Sequence, residues 1–272
     1  MRLVFLILCC AMAGSVLAQP TPPVQRTPAP IPDDRPVSPT LQVRTQHGVQ
    51  MDVWIDGERK GFTPMLGNLA PGTYFVTCWN TGLEPIIQEI TIPNYELQIV
   101  EIPDRKLTAE KFPKIFEKVV KAYQYYPENV HIRIIAMGLA QDPTDFRGLL
   151  GRLPQDHREN PVVLFVRSKW QAAEGNLDVA LDLIDKALAD EPNYAGAWRL
   201  KVRILTAMGR YQDAVAHANE AVILEPQNPD SFLARAAALK KAGRERAAQI
   251  DYEYVLEFDP DNKEAIRGLT TD

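Results

Sequence analysis

The spacing of apolar residues divides the chain into four stretches. Leu3 to Ala13 is an unbroken apolar run of eleven residues, and Gln19 to Thr40 has no apolar periodicity and eight prolines. Between residues 41 and 103, apolar and polar positions alternate in short runs: Leu41-Gln-Val43, Val53-Trp-Ile55, Ile90-Thr-Ile92 and Leu97-Gln-Ile99-Val100, with Ile86-Ile87 among them. A period of two marks half-buried strands, and Asp56-Gly57 directly after Ile55 predicts a tight hairpin. In the run Tyr74–Trp79, Tyr74, Val76 and Cys78 alternate with Phe75, Thr77 and Trp79. That run predicts a strand with two distinct faces, with Cys78 as a core thiol on the buried one. Five to seven short strands within residues 41–103 predict a small β-sandwich.

From Leu107 the period lengthens. Phe112, Ile115, Phe116, Val119, Val120, Tyr123 and Tyr126 recur every three or four residues, which predicts an amphipathic helix, with Pro113 in its first turn. An internal repeat follows. Pro192, Pro226 and Pro260 are 34 residues apart, as are Gly175, Gly209 and Gly243, and Ala180, Ala214 and Ala248. Three residue types holding one 34-residue period predict stacked helix–turn–helix units at 161–194, 195–228 and 229–262. Pro127 precedes Pro161 by the same interval, so 107–160 is a helical region that would hold a further, degenerate unit. Lys263 to Leu269 is left as a short cap, and 161–269 is the repeat region.

Residues 1–18 read as a secretory signal peptide, with Arg2 ahead of the apolar run and Val16-Leu17-Ala18 at the cleavage site. The run is shorter than the ~20 residues that span a bilayer, so export to the periplasm or cell surface is the expectation, with no later membrane span. Cleavage would remove Cys9 and Cys10 of the three cysteines, leaving Cys78, and would take the formal charge from −5 to −6. A disulfide scaffold is excluded on that count, and a nucleic-acid binder is disfavoured by the acidic balance. The proline-rich segment 19–40 reads as an extended linker.

The β-region resembles a PEGA domain. The residues that carry the resemblance are Val53-Trp-Ile-Asp-Gly57, Gly61-Phe-Thr-Pro64, Leu69-Ala-Pro-Gly-Thr-Tyr74 and Gly82-Leu-Glu-Pro85. It implies a surface-associated bacterial or archaeal accessory domain over 41–103, without catalytic residues. The 34-residue units look like tetratricopeptide repeats, with Trp198 and Phe232 at the large aromatic position and Leu164 in its place in the first unit. Gly175, Gly209 and Gly243 would sit in the intra-repeat turns, and Pro192, Pro226 and Pro260 would close the units. The architecture so implied is a small all-β sandwich followed by an all-α solenoid.

Charge distribution sharpens this picture. The first helices (161–174, 195–208, 229–242) hold eight basic and two acidic residues, whereas the remaining segments of the three units hold four basic and fourteen acidic ones. In the family resembled, first helices line the concave side, and Lys169, Arg199, Arg203, Lys240 and Lys241 match groove-facing positions. The resemblance therefore implies a basic groove for a protein or peptide with an acidic segment or a C-terminal carboxylate, held by charge-assisted hydrogen bonds. The asparagines of the carboxylate-clamp variety are absent at the matching positions. Arg167, Lys201 and Arg235 share one repeat position and present the alternative of a structural ion-pair ladder. Trp54 and Trp79 present a second alternative, a cell-wall or glycan-binding face on the β-domain, against simple packing on a neighbouring strand or domain.

Candidate chemistry changes little. His47, His131, His157 and His217 are scattered without metal-ligand spacing, and no phosphate-cradling glycine loop or serine elbow occurs. The sequence therefore predicts a non-enzymatic interaction protein with no cofactor.

Overall fold

A computed structural model describes residues 40–270 except 81, 94, 96 and 104. The signal peptide and the proline-rich linker lie outside the described residues. Seven strands form the N-terminal part: β1 (Leu41–Thr45), β2 (Asp52–Ile55), β3 (Glu58–Phe62), β4 (Met65–Gly67), β5 (Gly72–Trp79), β6 (Ile86–Ile92) and β7 (Gln98–Ile102). They make a three-stranded sheet in the order β4-β1-β7 and a four-stranded sheet in the order β3-β2-β5-β6. The pairing of β1 with β7 is parallel, and β1 pairs with β4 antiparallel. Asp56 and Gly57 both take left-handed backbone angles (φ 49° and 83°), as a two-residue hairpin turn between right-twisted strands requires. The Asp56 carboxylate accepts from Phe75 N at 2.7 Å, tying the turn to β5.

Leu41, Val43, Val53, Val76, Cys78 and Ile102 fill the space between the sheets. Cys78 is buried and free, and burial pushes its thiol above the usual range, so it is a packing residue. Part of the opposite face of the four-stranded sheet is buried too. Trp54 and Trp79 belong to the core of the helical part, and Phe75 packs against it.

The helical part comprises α1 (Phe112–Tyr125), α2 (Val130–Leu139), α3 (Pro143–Gly151), a 3-10 turn (Gln155–His157), α4 (Pro161–Ala173), α5 (Leu177–Asp190), α6 (Ala195–Ala207), α7 (Tyr211–Leu224), α8 (Pro229–Lys241), α9 (Glu245–Phe258) and α10 (Lys263–Thr270). The period-34 residues set the repeat. Gly175, Gly209 and Gly243 have φ of 84°, 78° and 75°, the left-handed conformation that ends a helix and that glycine adopts without steric cost. Ala180, Ala214 and Ala248 are buried, where a larger side chain would push the paired helices apart. Asn160 and Asn228 cap α4 and α8 from the side chain, with Pro161 and Pro229 in the first turn, an arrangement that uses up orphan N–H groups. Helix α2 is buried on nearly every side, including His131 and Arg133, because β5 and the neighbouring helices enclose it. No helix among the described residues is long and apolar enough to cross a membrane.

Candidate functional site

The site is shaped by how the β-domain docks. From β2, Trp54 stacks on His131 of α2 with ring centroids 5.0 Å apart and planes at 11°. Its indole N–H donates to Asp52 Oδ2 at 2.5 Å, and Arg59 Nε donates to Asp52 Oδ1 at 2.7 Å. Arg59 Nη1 then reaches across to Glu191, after α5, at 3.1 Å. Thr77 Oγ1 lies 2.6 Å from His131 Nδ1, and His131 Nε2 is 3.5 Å from Asp52 Oδ2 without completing a hydrogen bond. Burial raises the Asp52 carboxyl to about 6 against the pull of Arg59. Burial, then the Arg59 charge, hold His131 well below its ordinary value, so the imidazole is neutral. Phe62 packs on Tyr194 and Phe75 on Tyr126, with centroids 4.6 and 4.7 Å apart.

Trp54 and Trp79, the alternative glycan-binding pair, are each only 2% exposed. Neither ring offers a face to a sugar, because each is packed into the core of the helical part. Their role is to join the two parts of the chain, and the glycan assignment is withdrawn on that ground.

Gln50 completes the junction. Its Oε1 accepts from Ala195 N (3.0 Å), its Nε2 donates to the Asn193 carbonyl (2.9 Å), and its backbone N–H donates to Glu225 Oε1 (2.6 Å). Tyr194 supplies no side-chain cap to α6, so the β-domain caps that helix instead. Glu225, whose side chain is fully buried, also accepts from Asn228 Nδ2 (2.7 Å) and forms an ion pair with Arg199.

The five basic residues read from the sequence therefore separate. Arg199 is neutralised by Glu225 and also lies 3.3 Å from Ser231 Oγ. Lys240 donates to the Gly268 carbonyl of α10 at 2.7 Å, closing the C-terminal helix onto α8. As free groove cations, those two assignments are corrected: both side chains are committed within the fold. Lys169 and Arg203 are accessible and make no ion pair among the described residues, and Lys241 is exposed on the last turn of α8. Of the alternative ladder, Lys201 pairs with Asp185 (2.9 Å) and Arg235 with Asp251 (2.7 Å), both on second helices. Arg167 lies 3.5 Å from Glu159 instead.

Lys169 and Arg203 come together in a pocket of about 120 Å³ lined also by Phe165, Leu200, Arg199 and Asp230, with Asn80 of the β-domain on its wall. Loss of hydration between these walls, with the like charge of Arg203, lowers the Lys169 ammonium from its ordinary value. Two uncompensated cations oppose one carboxylate, Asp230, so the pocket favours an anion. Asn80 Nδ2 donates to the Gln50 carbonyl (2.5 Å), while its Oδ1 has no partner among the described residues. Sequence reasoning missed Asn80 and Asp230: the first belongs to the domain read as separate, and the second reads as an ordinary first-turn acid.

Comparison with known proteins agrees with this architecture. Residues 38–103 match the PEGA domain family, and residues 171–238 match the tetratricopeptide repeat family, in that order. A TPR repeat-containing protein of Rhizobium etli is 27% identical over 86 residues, which is 32% of this chain and 42% of that protein; the chain thus matches less than half of that relative's length. A thermophilic TPR protein of Thermus thermophilus has the same helical fold, with a TM-score of 0.52 and 18% identity, covering 59% of this chain and 90% of the other. A chain of the APC/C hetero-tetramer Cut9-Hcn1 gives a TM-score of 0.52 at 12% identity, covering 59% and 33%.

Proposed function

We propose that this chain, a PEGA domain joined to tetratricopeptide repeats, is an exported, non-enzymatic scaffold that binds an acidic segment of a protein partner. The observation that carries the reading is the pairing of Lys169 with Arg203 in one pocket. Within a fold that neutralises Arg199 through Glu225 and ties Lys240 to Gly268, these two cations face that pocket without an ion pair among the described residues, and Asp230 is the one carboxylate lining it. Cations gathered in a recess bind carboxylates by charge-assisted hydrogen bonds and raise the rate of encounter with acidic partners. The β-domain acts as a fixed wall of the site rather than as a second binding module. Export rests on the signal-like residues 1–18, and the compartment is the bacterial periplasm or cell surface.

The test uses the mature chain and a Lys169→Glu/Arg203→Glu variant as paired baits on envelope extract, with cross-linking and mass spectrometry. A partner held by the first and lost by the second, with affinity falling as salt rises, is the expected outcome. Identical captures would overturn the assignment of the pocket.

A further inference from the structure

Beside the cationic pocket lies a larger cleft of about 400 Å³. Leu107 and Phe112 from the start of the helical part and Leu139 and Ala140 at the end of α2 form its apolar walls, Thr108 and Gln141 line it too, and Trp79, only 2% exposed, adds little open surface. Lys169 lines this cleft as well, and it is the one charged side chain among the described residues that do so. The two cavities thus share Lys169 in their walls. One side of Lys169 opens on an apolar recess of a size that accepts a small ligand group (roughly 300–1,000 Å³). The other side opens on Arg203.

We propose that the recess and the cation pair form one composite site, which takes an acidic peptide segment bearing a large apolar residue next to its carboxylates. The inference rests on the functional reading above and adds the apolar requirement. Carboxylates lie against Lys169 and Arg203, and the neighbouring apolar side chain fills the recess between the β-domain and α2. Charge complementarity selects this occupant over a purely apolar one, because the lone ionisable group of the recess is a cation that a hydrocarbon would leave unpaired and desolvated. The recess exists only in the assembled chain, since its walls come from the end of β5 and the turn after it, the connector after β7, the start of α1, the end of α2 and α4.

The experiment measures fluorescence anisotropy of two labelled peptides on the full mature chain at low salt. In one peptide phenylalanine precedes a run of glutamates; in the other alanine replaces it. The phenylalanine peptide is expected to bind roughly tenfold tighter or better. In Ala140→Phe, which fills the recess, that advantage disappears while the alanine peptide is unaffected. In Arg203→Glu both peptides weaken. Ala109→Trp, at an exposed position of the cleft rim, serves as a second occluding variant, with circular dichroism confirming that both variants fold. Equal affinity for the two peptides, with both lost in Arg203→Glu, would overturn the composite site and leave the cationic pocket standing. Binding of neither peptide would overturn the functional reading itself, and the composite site with it.

Discussion

Trp79 lies directly against the backbone of Gly138: a Cβ placed on that glycine would overlap the indole at Cη2, Cζ2 and Cζ3. The strand that ends in this tryptophan is thereby keyed to one helical position of α2. In an unencumbered helix, replacing glycine by alanine adds roughly 0.5–1 kcal/mol of stability. Gly138→Ala is expected to do the reverse, destabilising by about 1–3 kcal/mol through overpacking. Denaturant titration followed by tryptophan emission checks the sign, and a stabilised variant would refute the close docking.

Charge reversal separates the two arginines of α6. Arg199→Glu places a carboxylate against buried Glu225 and removes the counter-charge of the group that holds Gln50 in place; a cost of about 3–5 kcal/mol follows from breaking a buried pair. Arg203→Glu is an accessible change and should stay within about 0.5 kcal/mol. Thermal unfolding of the two single variants side by side decides the matter.

Arg59 makes a comparable prediction across the domain junction. Arg59→Met leaves Asp52 buried without its main counter-charge, and should destabilise strongly. Adding Asp52→Asn should recover much of the loss, because the cost lies in the orphaned carboxylate rather than in the missing guanidinium. A double-mutant cycle by chemical denaturation reads this, and additive losses would contradict it.

The pH dependence of the junction has two opposing parts. Asp52, raised to about 6 by burial, binds its proton more readily in the folded chain than in the unfolded one. Its contribution to stability therefore grows as pH falls through about 6 toward the ordinary carboxylate range. His131, held low by burial, is protonated more readily when unfolded, so its contribution is lost as pH falls below 6.5. The stability advantage of wild type over Asp52→Asn should accordingly rise between about pH 7 and about pH 4, whereas its advantage over His131→Phe should fall. Stability measured at closely spaced pH values separates the two, and parallel curves would refute the buried placement.

Gln50→Ala removes the cap of α6 and the amide that spans Asn193 and Ala195. Loss of a cap costs about 1 kcal/mol. Hydrogen exchange should quicken at Ala195, the donor that the Gln50 side chain now holds. Unchanged protection there would contradict the capping role.

Much of the fold was legible because periodicity reports burial within an element. The alternation in Tyr74–Trp79 marked two faces, and the recurrence of Gly175, Gly209 and Gly243 marked the turns. What alternation cannot report is what covers a strand's second face: toward water, a sugar or a helix, Trp54 and Trp79 read the same. The candidate site was legible only as a set of basic residues. Arg199 and Arg203 are indistinguishable by type and by helix, and the difference between them lies in Glu225, Asn228 and Gln50. Gln50 reaches Glu225 over a separation of 175 residues, a contact no local pattern encodes.

The parallel pairing of β1 with β7 gives the sandwich a mechanical character. Chain enters at the start of β1 and leaves for the helices from the end of β7, so a pull between the preceding segment and the helices loads these strands in opposite directions along their length. All five residue pairs from Leu41–Gln98 to Thr45–Ile102 then bear the tension together in shear, instead of parting one after another like a zipper. A scaffold tethered through its N-terminal side and gripping a partner through its helices would hold under tension at this pair of strands.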